Sequence, residues 1–140
     1  NYGMTNLTAA LGVAQLENLM NFIREKRKNF KTYIDSLDGY KGLSLIKEPE
    51  YSFSNHWFYS LVVETEIFGI SRDQLLRRLL DNNIQSRPVW YPNHLQQPYI
   101  ECQRYRIEKA NWFYERVINI PCSSNLTVAE IEKVIKVIKG

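Results

Sequence analysis

Histidine and cysteine are scarce in this 140-residue sequence, which has two of each. His56 and His94 are too few for a histidine-rich metal site, so we expect no metal centre. Cys102 and Cys122 stand in no CxxC pair, and two free thiols in a reducing compartment are the default. A disulfide would require their two segments to meet in the fold. The cysteine usage therefore favours a cytoplasmic protein.

Long apolar runs and several enzyme signatures are also missing. No run approaches the 18 or so apolar residues that a membrane-spanning helix requires, so we expect no membrane association. No basic segment followed by an apolar stretch opens the chain, as a signal peptide would. The chain begins without methionine, just ahead of a predicted helix, which suggests a piece of a longer protein. A Gly-rich phosphate loop, a paired-carboxylate motif and G-x-S-x-G are absent as well.

Positive charge is in small excess, with a formal net charge of +3. That excess does not indicate a nucleic-acid-binding protein unless the cations share one face. The densest basic stretch is interrupted by Glu25, Asn29 and Phe30, and we interpret it as the solvated side of a helix. An anion-binding site is the less favoured alternative. The stretch consists of Arg24, Lys26, Arg27, Lys28 and Lys31.

A long amphipathic helix is the first predicted element. Thr5 is suited to cap its start, and Asp38-Gly39 to end it. At about 1.5 Å per residue it would reach about 50 Å, more than a domain of this size needs. We therefore expect it to pack against a neighbouring domain or subunit. Its apolar positions recur at helical spacing: Leu7, Leu11, Ala14, Leu19, Phe22, Ile23, Phe30, Ile34 and Leu37.

Three strands are predicted after this helix, over residues 43–46, 57–63 and 84–89. The second is rich in aromatic and β-branched residues and is predicted to be central. Pro88 confines the third to an edge or an end of the sheet.

Three shorter helices complete the predicted fold. Capping boxes at Ser71–Gln74 and Thr127–Glu130 mark the starts of two of them. The other is predicted over residues 109–118, with Ala110, Phe113 and Val117 buried. The order of elements predicts an α+β fold with helices packed on a short, mostly antiparallel sheet.

The segment from Gln85 to His94 is the candidate functional site. It places four side chains with recognition chemistry on an irregular loop that leaves a strand. A guanidinium can bind a phosphate, and aromatic faces can pack on a sugar or a base. The alternative is a proline-rich connector whose aromatic rings cover the core. The four candidates are Arg87, Trp90, Tyr91 and His94.

Four segments, in order along the whole chain, resemble the DegT/StrS sugar aminotransferases. Residues 1–16 are similar to that family's NYRMxNxxAALGxAQLE stretch, and residues 55–59 to its strand entrance. Residues 87–96 resemble its RPxWxPxHLQ loop, in the form seen in enzymes that aminate 4-keto-6-deoxy sugar nucleotides. Residues 115–124 resemble its ERxINLPSS segment. Together the four segments are more specific than any one of them.

The resemblance implies the small C-terminal domain of a fold-type I aminotransferase, with residues 1–140 forming the interdomain helix and that domain. The family's pyridoxal-phosphate lysine belongs to a large domain that would precede Asn1, so no catalytic residue is expected here. Asn1 matches an asparagine that contacts the cofactor phosphate of the neighbouring subunit in a homodimer. Gly3 stands where the family usually has arginine, which removes a potential anion contact. Arg87, Trp90, Tyr91 and His94 match the loop that lines the substrate mouth.

The implied activity is transfer of an amino group, with glutamate as donor, to a keto carbon of a nucleotide-linked sugar. Products of that kind serve polysaccharide biosynthesis. A free-standing ligand-binding or dimerisation module with the same fold is the rival interpretation. An upstream domain with a Schiff-base lysine in the same reading frame would decide between them.

Overall fold

The computed structural model describes residues 3–140, so Asn1 lies outside the described residues. It contains five helices and four strands within that range, together with two short 3-10 turns at residues 93–95 and 97–99. In chain order the elements are α1 (Asn6–Leu37), β1 (Leu43–Leu45), β2 (Tyr59–Val63), α2 (Thr65–Phe68), α3 (Arg72–Asp81), β3 (Arg87–Pro88), α4 (Glu108–Arg116), β4 (Val117–Ile120) and α5 (Val128–Lys139).

The four strands form one sheet in the order β1-β2-β4-β3, and every neighbouring pair is antiparallel. Tyr59 lies opposite Ile120, and Pro88 lies opposite Ile118. Proline has no backbone N–H to give to a second neighbour, which fits its place on the edge strand β3. The predicted α+β fold with a mostly antiparallel sheet is confirmed.

The core lies between one face of the sheet and the helices α1, α3 and α5. Side chains alternate between the two faces of a strand, so every second residue of β2 points to the same side. The fully buried core side chains include Tyr33, Leu37, Tyr59, Leu61, Val63, Leu75, Leu79, Ile118, Ile131 and Ile138.

Helix α1 spans 32 residues, about 48 Å at 1.5 Å per residue, as the sequence predicts. Thr5 caps its start by accepting a hydrogen bond from the Thr8 N–H. Its buried residues begin only at Asn29, so its first six turns lie outside the core. Leu7 is 83% exposed and Leu16 69% exposed. The apolar stripe of these six turns is therefore uncovered in the described chain.

Both predicted capping boxes are present. The Ser71 hydroxyl accepts from the Gln74 N–H while the Gln74 side chain accepts from the Ser71 N–H. Thr127 and Glu130 repeat the pattern at the start of α5. The charge-assisted bonds from Thr127 lower the pKa of Glu130.

The prediction of a helix over residues 109–118 is wrong at its end. Helix α4 stops at Arg116, and Val117 to Ile120 form the buried strand β4. Phe113 is 40% exposed and Ala110 is exposed, so neither is buried as predicted. No glycine or proline separates helix from strand here. Pairing with β2 and β3, a tertiary effect, decides the conformation of these β-branched residues.

The two strands on either side of β4 are shorter than predicted. Strand β2 begins at Tyr59 and not at Trp57, and β3 comprises Arg87 and Pro88 alone out of the predicted 84–89. The short helix α2 had no counterpart in the prediction.

The basic stretch of α1 is only partly the solvated face that the sequence predicts. The Lys26 ammonium donates to the backbone oxygens of Trp57 and Cys122, at 3.1 and 2.7 Å. The Arg27 guanidinium forms a bidentate ion pair with Glu48 and donates a hydrogen bond to the Ser54 backbone oxygen at 2.6 Å. These two side chains tie α1 to the loops around the sheet, so they are structural cations.

The ion pair changes the protonation of its carboxylate. The hydrogen bond from Arg27, followed by the one from the Ser54 N–H, lowers the pKa of Glu48 to about 2. Bonding to Glu48 raises the pKa of Arg27. His56, stacked on Phe30 at 4.0 Å between ring centroids, has its pKa lowered because burial disfavours its charged form.

Candidate functional site

The loop after β3 holds the four predicted site residues, and its prolines explain its shape. Pro92 precedes the first 3-10 turn, and Pro98 lies within the second. Proline fixes φ near −65°, which suits tight turns and prevents the segment from continuing a strand. The loop therefore stays irregular and close to the sheet edge.

Arg87 and Trp90 line an open pocket of about 900 Å³ at the β3 edge. Its walls also include Phe58 from the segment before β2, Asn119 from β4 and Lys133 from α5. Trp90 is 68% exposed. The Arg87 guanidinium forms neither a hydrogen bond nor an ion pair with any of residues 3–140. A cation without a partner on a pocket wall is available to an anionic ligand.

Tyr91 and His94 point elsewhere and are not part of this pocket's wall. The Tyr91 ring meets that of Tyr114 edge-on at 5.5 Å, and His94 Nε2 is 2.8 Å from the Asn111 Oδ1. Both partners belong to α4. The structure thus divides the predicted site into two pairs: Arg87 and Trp90 face the pocket, while Tyr91 and His94 fasten the loop to α4.

Aromatic rings form one corner of the pocket. Trp90 lies 5.2 Å from Phe58 in an edge-to-face arrangement and 6.2 Å from Trp57. Trp57 and Phe58 also contact each other, at 4.6 Å. Rings held in this way offer a rigid apolar surface to a sugar or a base.

Phe58 and Asn119 are pocket residues that the sequence analysis did not select. Both lie inside segments that carry the family resemblance. The signal that would have found Asn119 is the strand register, because it places residue 119 directly opposite residue 87. That register depends on β4, which was predicted to be helical.

A second, smaller pocket of about 510 Å³ is lined by Arg27, Lys31, Lys47 and His56, among others. Each lysine and arginine on its wall already has a carboxylate partner, and for Lys28 it is Glu25 at 3.8 Å. Arg27 pairs with Glu48, Lys31 with Asp35 at 2.9 Å, and Lys47 with Asp38 at 2.5 Å. The pocket therefore lacks the available positive charge of the first one.

The larger pocket carries one lysine and one carboxylate on its wall. Lys133 is the one lysine on the wall of the larger pocket, and it is exposed on α5. Glu130, the wall's one carboxylate, is engaged with Thr127 in the capping box. The wall of this pocket thus pairs no buried lysine with a carboxylate.

The described part of the chain also lacks a metal-binding cluster and a membrane-spanning helix. Residues 3–140 contain no group of three histidine, cysteine or carboxylate side chains that could hold a metal ion. None of the helices in that range is both long and apolar enough to cross a bilayer. Cys102 and Cys122 are free thiols.

The model of the DegT/DnrJ/EryC1/StrS aminotransferase family matches residues 1–139. A GDP-perosamine synthase of Vibrio cholerae is 34% identical over 141 residues, covering 100% of this chain and 38% of that protein. A putative pyridoxal phosphate-dependent aminotransferase of Bacillus subtilis, EpsN, is 31% identical over 142 residues, covering 99% and 36%. The chain thus spans little more than a third of these relatives.

Solved structures agree with the sequence comparison. The crystal structure of the aminotransferase TlmJ from Streptoalloteichus hindustanus superposes with a TM-score of 0.83 at 25% identity. The match covers 94% of this chain and 35% of that one. The described fold is therefore the fold of one part of such an aminotransferase.

Proposed function

Because the chain belongs to the DegT/DnrJ/EryC1/StrS aminotransferase family, we propose that it is the C-terminal part of an enzyme that aminates a keto sugar nucleotide. The substrate class is a 4-keto-6-deoxy sugar nucleotide, and glutamate is the amino donor. The family resemblance of the loop at residues 87–96 supports the substrate, and the name of the Vibrio relative supports a nucleotide sugar. The product would enter polysaccharide biosynthesis.

The larger pocket carries this proposal. Arg87 places an unpaired guanidinium beside Trp90 and Phe58, so one pocket offers both a charge for a phosphate and rings for a sugar or base. Arg87 donates hydrogen bonds to phosphate oxygens, while the rings exclude water from one face of the ligand. Tyr91 and His94 contribute by holding the loop against α4.

The proposed enzyme is built from two domains. Residues 1–140 form the interdomain helix and the small domain, while the large domain carries the lysine that binds pyridoxal phosphate. The uncovered first six turns of α1 support this, because Leu7, Leu11 and Leu16 are all more than 60% exposed. Apolar stripes of that length are normally covered by another domain or subunit.

Pyridoxal phosphate supplies the electron sink for the reaction when it is bound. In the proposed homodimer, Asn1 would donate an amide hydrogen bond to the cofactor phosphate of the neighbouring subunit. The rest of this chain binds and orients the nucleotide sugar. We place the enzyme in the cytoplasm, because two free thiols are typical of a reducing compartment.

A non-catalytic module for ligand binding or dimerisation is the second candidate, and the exposed apolar stripe of α1 is the observation that favours it. The two candidates differ in what precedes residue 1. An upstream domain with a Schiff-base lysine supports the enzyme, and a reading frame without one supports the module.

Turnover by the whole protein tests the proposal directly. The purified protein is incubated with glutamate and a 4-keto-6-deoxy sugar nucleotide, GDP- and dTDP-linked in turn. We expect 2-oxoglutarate and an amino sugar nucleotide in equal amounts, detected by mass spectrometry. A cofactor-loaded protein that converts neither substrate would refute the proposal.

A further inference from the structure

Three polar side chains lie in a row across β2, β4 and β3. Ser60 is opposite Asn119, and Asn119 is opposite Arg87. Residues directly opposite each other on neighbouring strands have their side chains on the same face of the sheet. The adjacent Leu61 and Ile118 are fully buried in the core on the other face. The row therefore lies on the face that is turned away from the core.

Asn119 is the centre of this row, and its side chain is held in place. The residue is only 8% exposed and lines the larger pocket. The Ser60 hydroxyl donates to the Asn119 Oδ1 at 2.8 Å, which fixes the orientation of the amide. The Asn119 Nδ2 forms no hydrogen bond with any of residues 3–140. This largely buried residue thus has an oriented amide whose N–H donors are unused by the described residues.

The neighbour of this amide is a cation that also lacks a partner. Side chains directly opposite in an antiparallel pair have their Cβ atoms about 5 Å apart, so the Arg87 guanidinium is within reach of the same ligand atoms. Glu130, the carboxylate on the pocket wall, accepts two hydrogen bonds from Thr127 at its Oε2 and lies on α5, not in this row of strand residues. Arg87 and Asn119 therefore present unused donors side by side, which is the chemistry that recognises an oxyanion.

We propose that Asn119, oriented by Ser60, is a second ligand-binding residue of this pocket and donates to an oxyanion that Arg87 also binds. The inference rests on the proposed function for the source of the oxyanion. That source is a phosphate of the nucleotide sugar or a carboxylate of the amino donor. Both present the same acceptor oxygens, and separate titrations distinguish them.

The substitution Asn119→Asp tests the inference in the whole protein. Aspartate keeps the shape and still accepts from Ser60, but it replaces the N–H donors with a negative charge beside Arg87. We expect the affinity for GDP and dTDP, measured by calorimetry, or the KM for glutamate to worsen by about ten- to hundredfold. The first result identifies a phosphate and the second a carboxylate.

Substitutions of serine separate ligand binding from folding. Ser60→Ala frees the amide and should weaken the same ligand severalfold, whereas Ser60→Thr keeps the hydroxyl and should restore affinity. Ser44→Ala is the matched control, because Ser44 is a half-buried serine of β1 in the same sheet but outside the pocket. It should change neither affinity nor KM.

Several outcomes would overturn the inference. A folded Asn119→Asp protein with wild-type affinity for both diphosphates and wild-type KM for glutamate is one. If that variant does not fold, a Ser60→Ala protein with wild-type ligand affinity and wild-type KM would overturn the inference in the same way. A wild-type protein that binds neither diphosphate nor glutamate is another. A protein that does not transaminate but loses diphosphate affinity on Asn119→Asp would contradict the proposed function and support this inference.

Discussion

Two buried tyrosines of the same aromatic cluster should respond in opposite ways to loss of their hydroxyl groups. Tyr33 and Tyr59 are both fully buried, with ring centroids 5.6 Å apart. The Tyr59 hydroxyl donates to the Lys26 oxygen at 2.6 Å. The Tyr33 hydroxyl has no partner among residues 3–140. Burial is the largest cause of the raised pKa of both groups, so both stay protonated at neutral pH.

The expected free-energy changes follow from these contacts. Tyr59→Phe removes the hydrogen bond from the Tyr59 hydroxyl to the Lys26 oxygen and should lower the free energy of unfolding by about 1 kcal/mol. Tyr33→Phe removes a polar group that lost its water on folding without gaining a partner. An unpaired buried hydroxyl costs about 1–3 kcal/mol, so this change should be neutral or stabilise the fold by about 1 kcal/mol. For a chain of this length, 1 kcal/mol corresponds to about 3 °C in Tm.

Urea denaturation of the two variants and the wild type measures the difference. All three proteins are compared at one fixed concentration, so that any association affects them equally. Equal slopes against urea would show that only stability has changed. If Tyr33→Phe destabilises the chain as much as Tyr59→Phe does, the Tyr33 hydroxyl has a partner and the reasoning fails.

Three further predictions concern the ion pair, helix α1 and the cofactor. The pKa of Glu48 is about 2 in the folded chain and near 4.5 in the unfolded chain. The contribution of its ion pair to the stability of the fold should therefore be complete above pH 4.5 and disappear as the pH falls towards 2. In denaturation experiments from pH 6 to pH 2.5, Glu48→Gln should therefore have a lower free energy of unfolding than the wild type at pH 6, and this difference should shrink as the pH falls. A difference that does not change with pH would contradict the ion pair. The 140-residue chain should sediment as a dimer or larger species through α1, while a Leu7→Glu/Leu11→Glu variant should be monomeric; a monomeric wild type counts against this use of the helix. The same chain mixed with pyridoxal phosphate should give no specific aldimine band reducible by borohydride, because the family's lysine is unmatched in it, and such a band would refute that assignment.

Local signals predicted much of the fold. Thr5, Ser71 and Thr127 cap their helices as the sequence indicates, because capping needs only residues within one helical turn. Strand β4 could not be predicted in this way. Val117 and Ile118 continue the apolar spacing of α4, and only pairing with β2 and β3 makes them extended.

The location of the candidate site could be predicted from the sequence, but the contacts of its residues could not. The loop at residues 87–94 stands out in the sequence, and the structure places Arg87 and Trp90 on a pocket. Tyr91 and His94 contact α4 and do not line the pocket. This could not be predicted from the loop alone, because α4 follows the loop in the chain. The register of β4 places Asn119 beside Arg87. Since this register results from tertiary pairing, the sequence alone did not indicate Asn119 as a site residue.

The most direct test of the central claim is the substitution Arg87→Ala in the whole enzyme, with the nucleotide sugar titrated against initial rate. Loss of a charge-assisted hydrogen bond costs about 1.5–3 kcal/mol, so kcat/KM for the nucleotide sugar should fall about ten- to hundredfold. The absorbance of the bound cofactor should be unchanged, and Arg77→Ala, an exposed arginine of α3 outside the pocket, should behave as the wild type. An Arg87→Ala enzyme that folds normally and keeps wild-type kcat/KM would show that this pocket does not bind the nucleotide sugar.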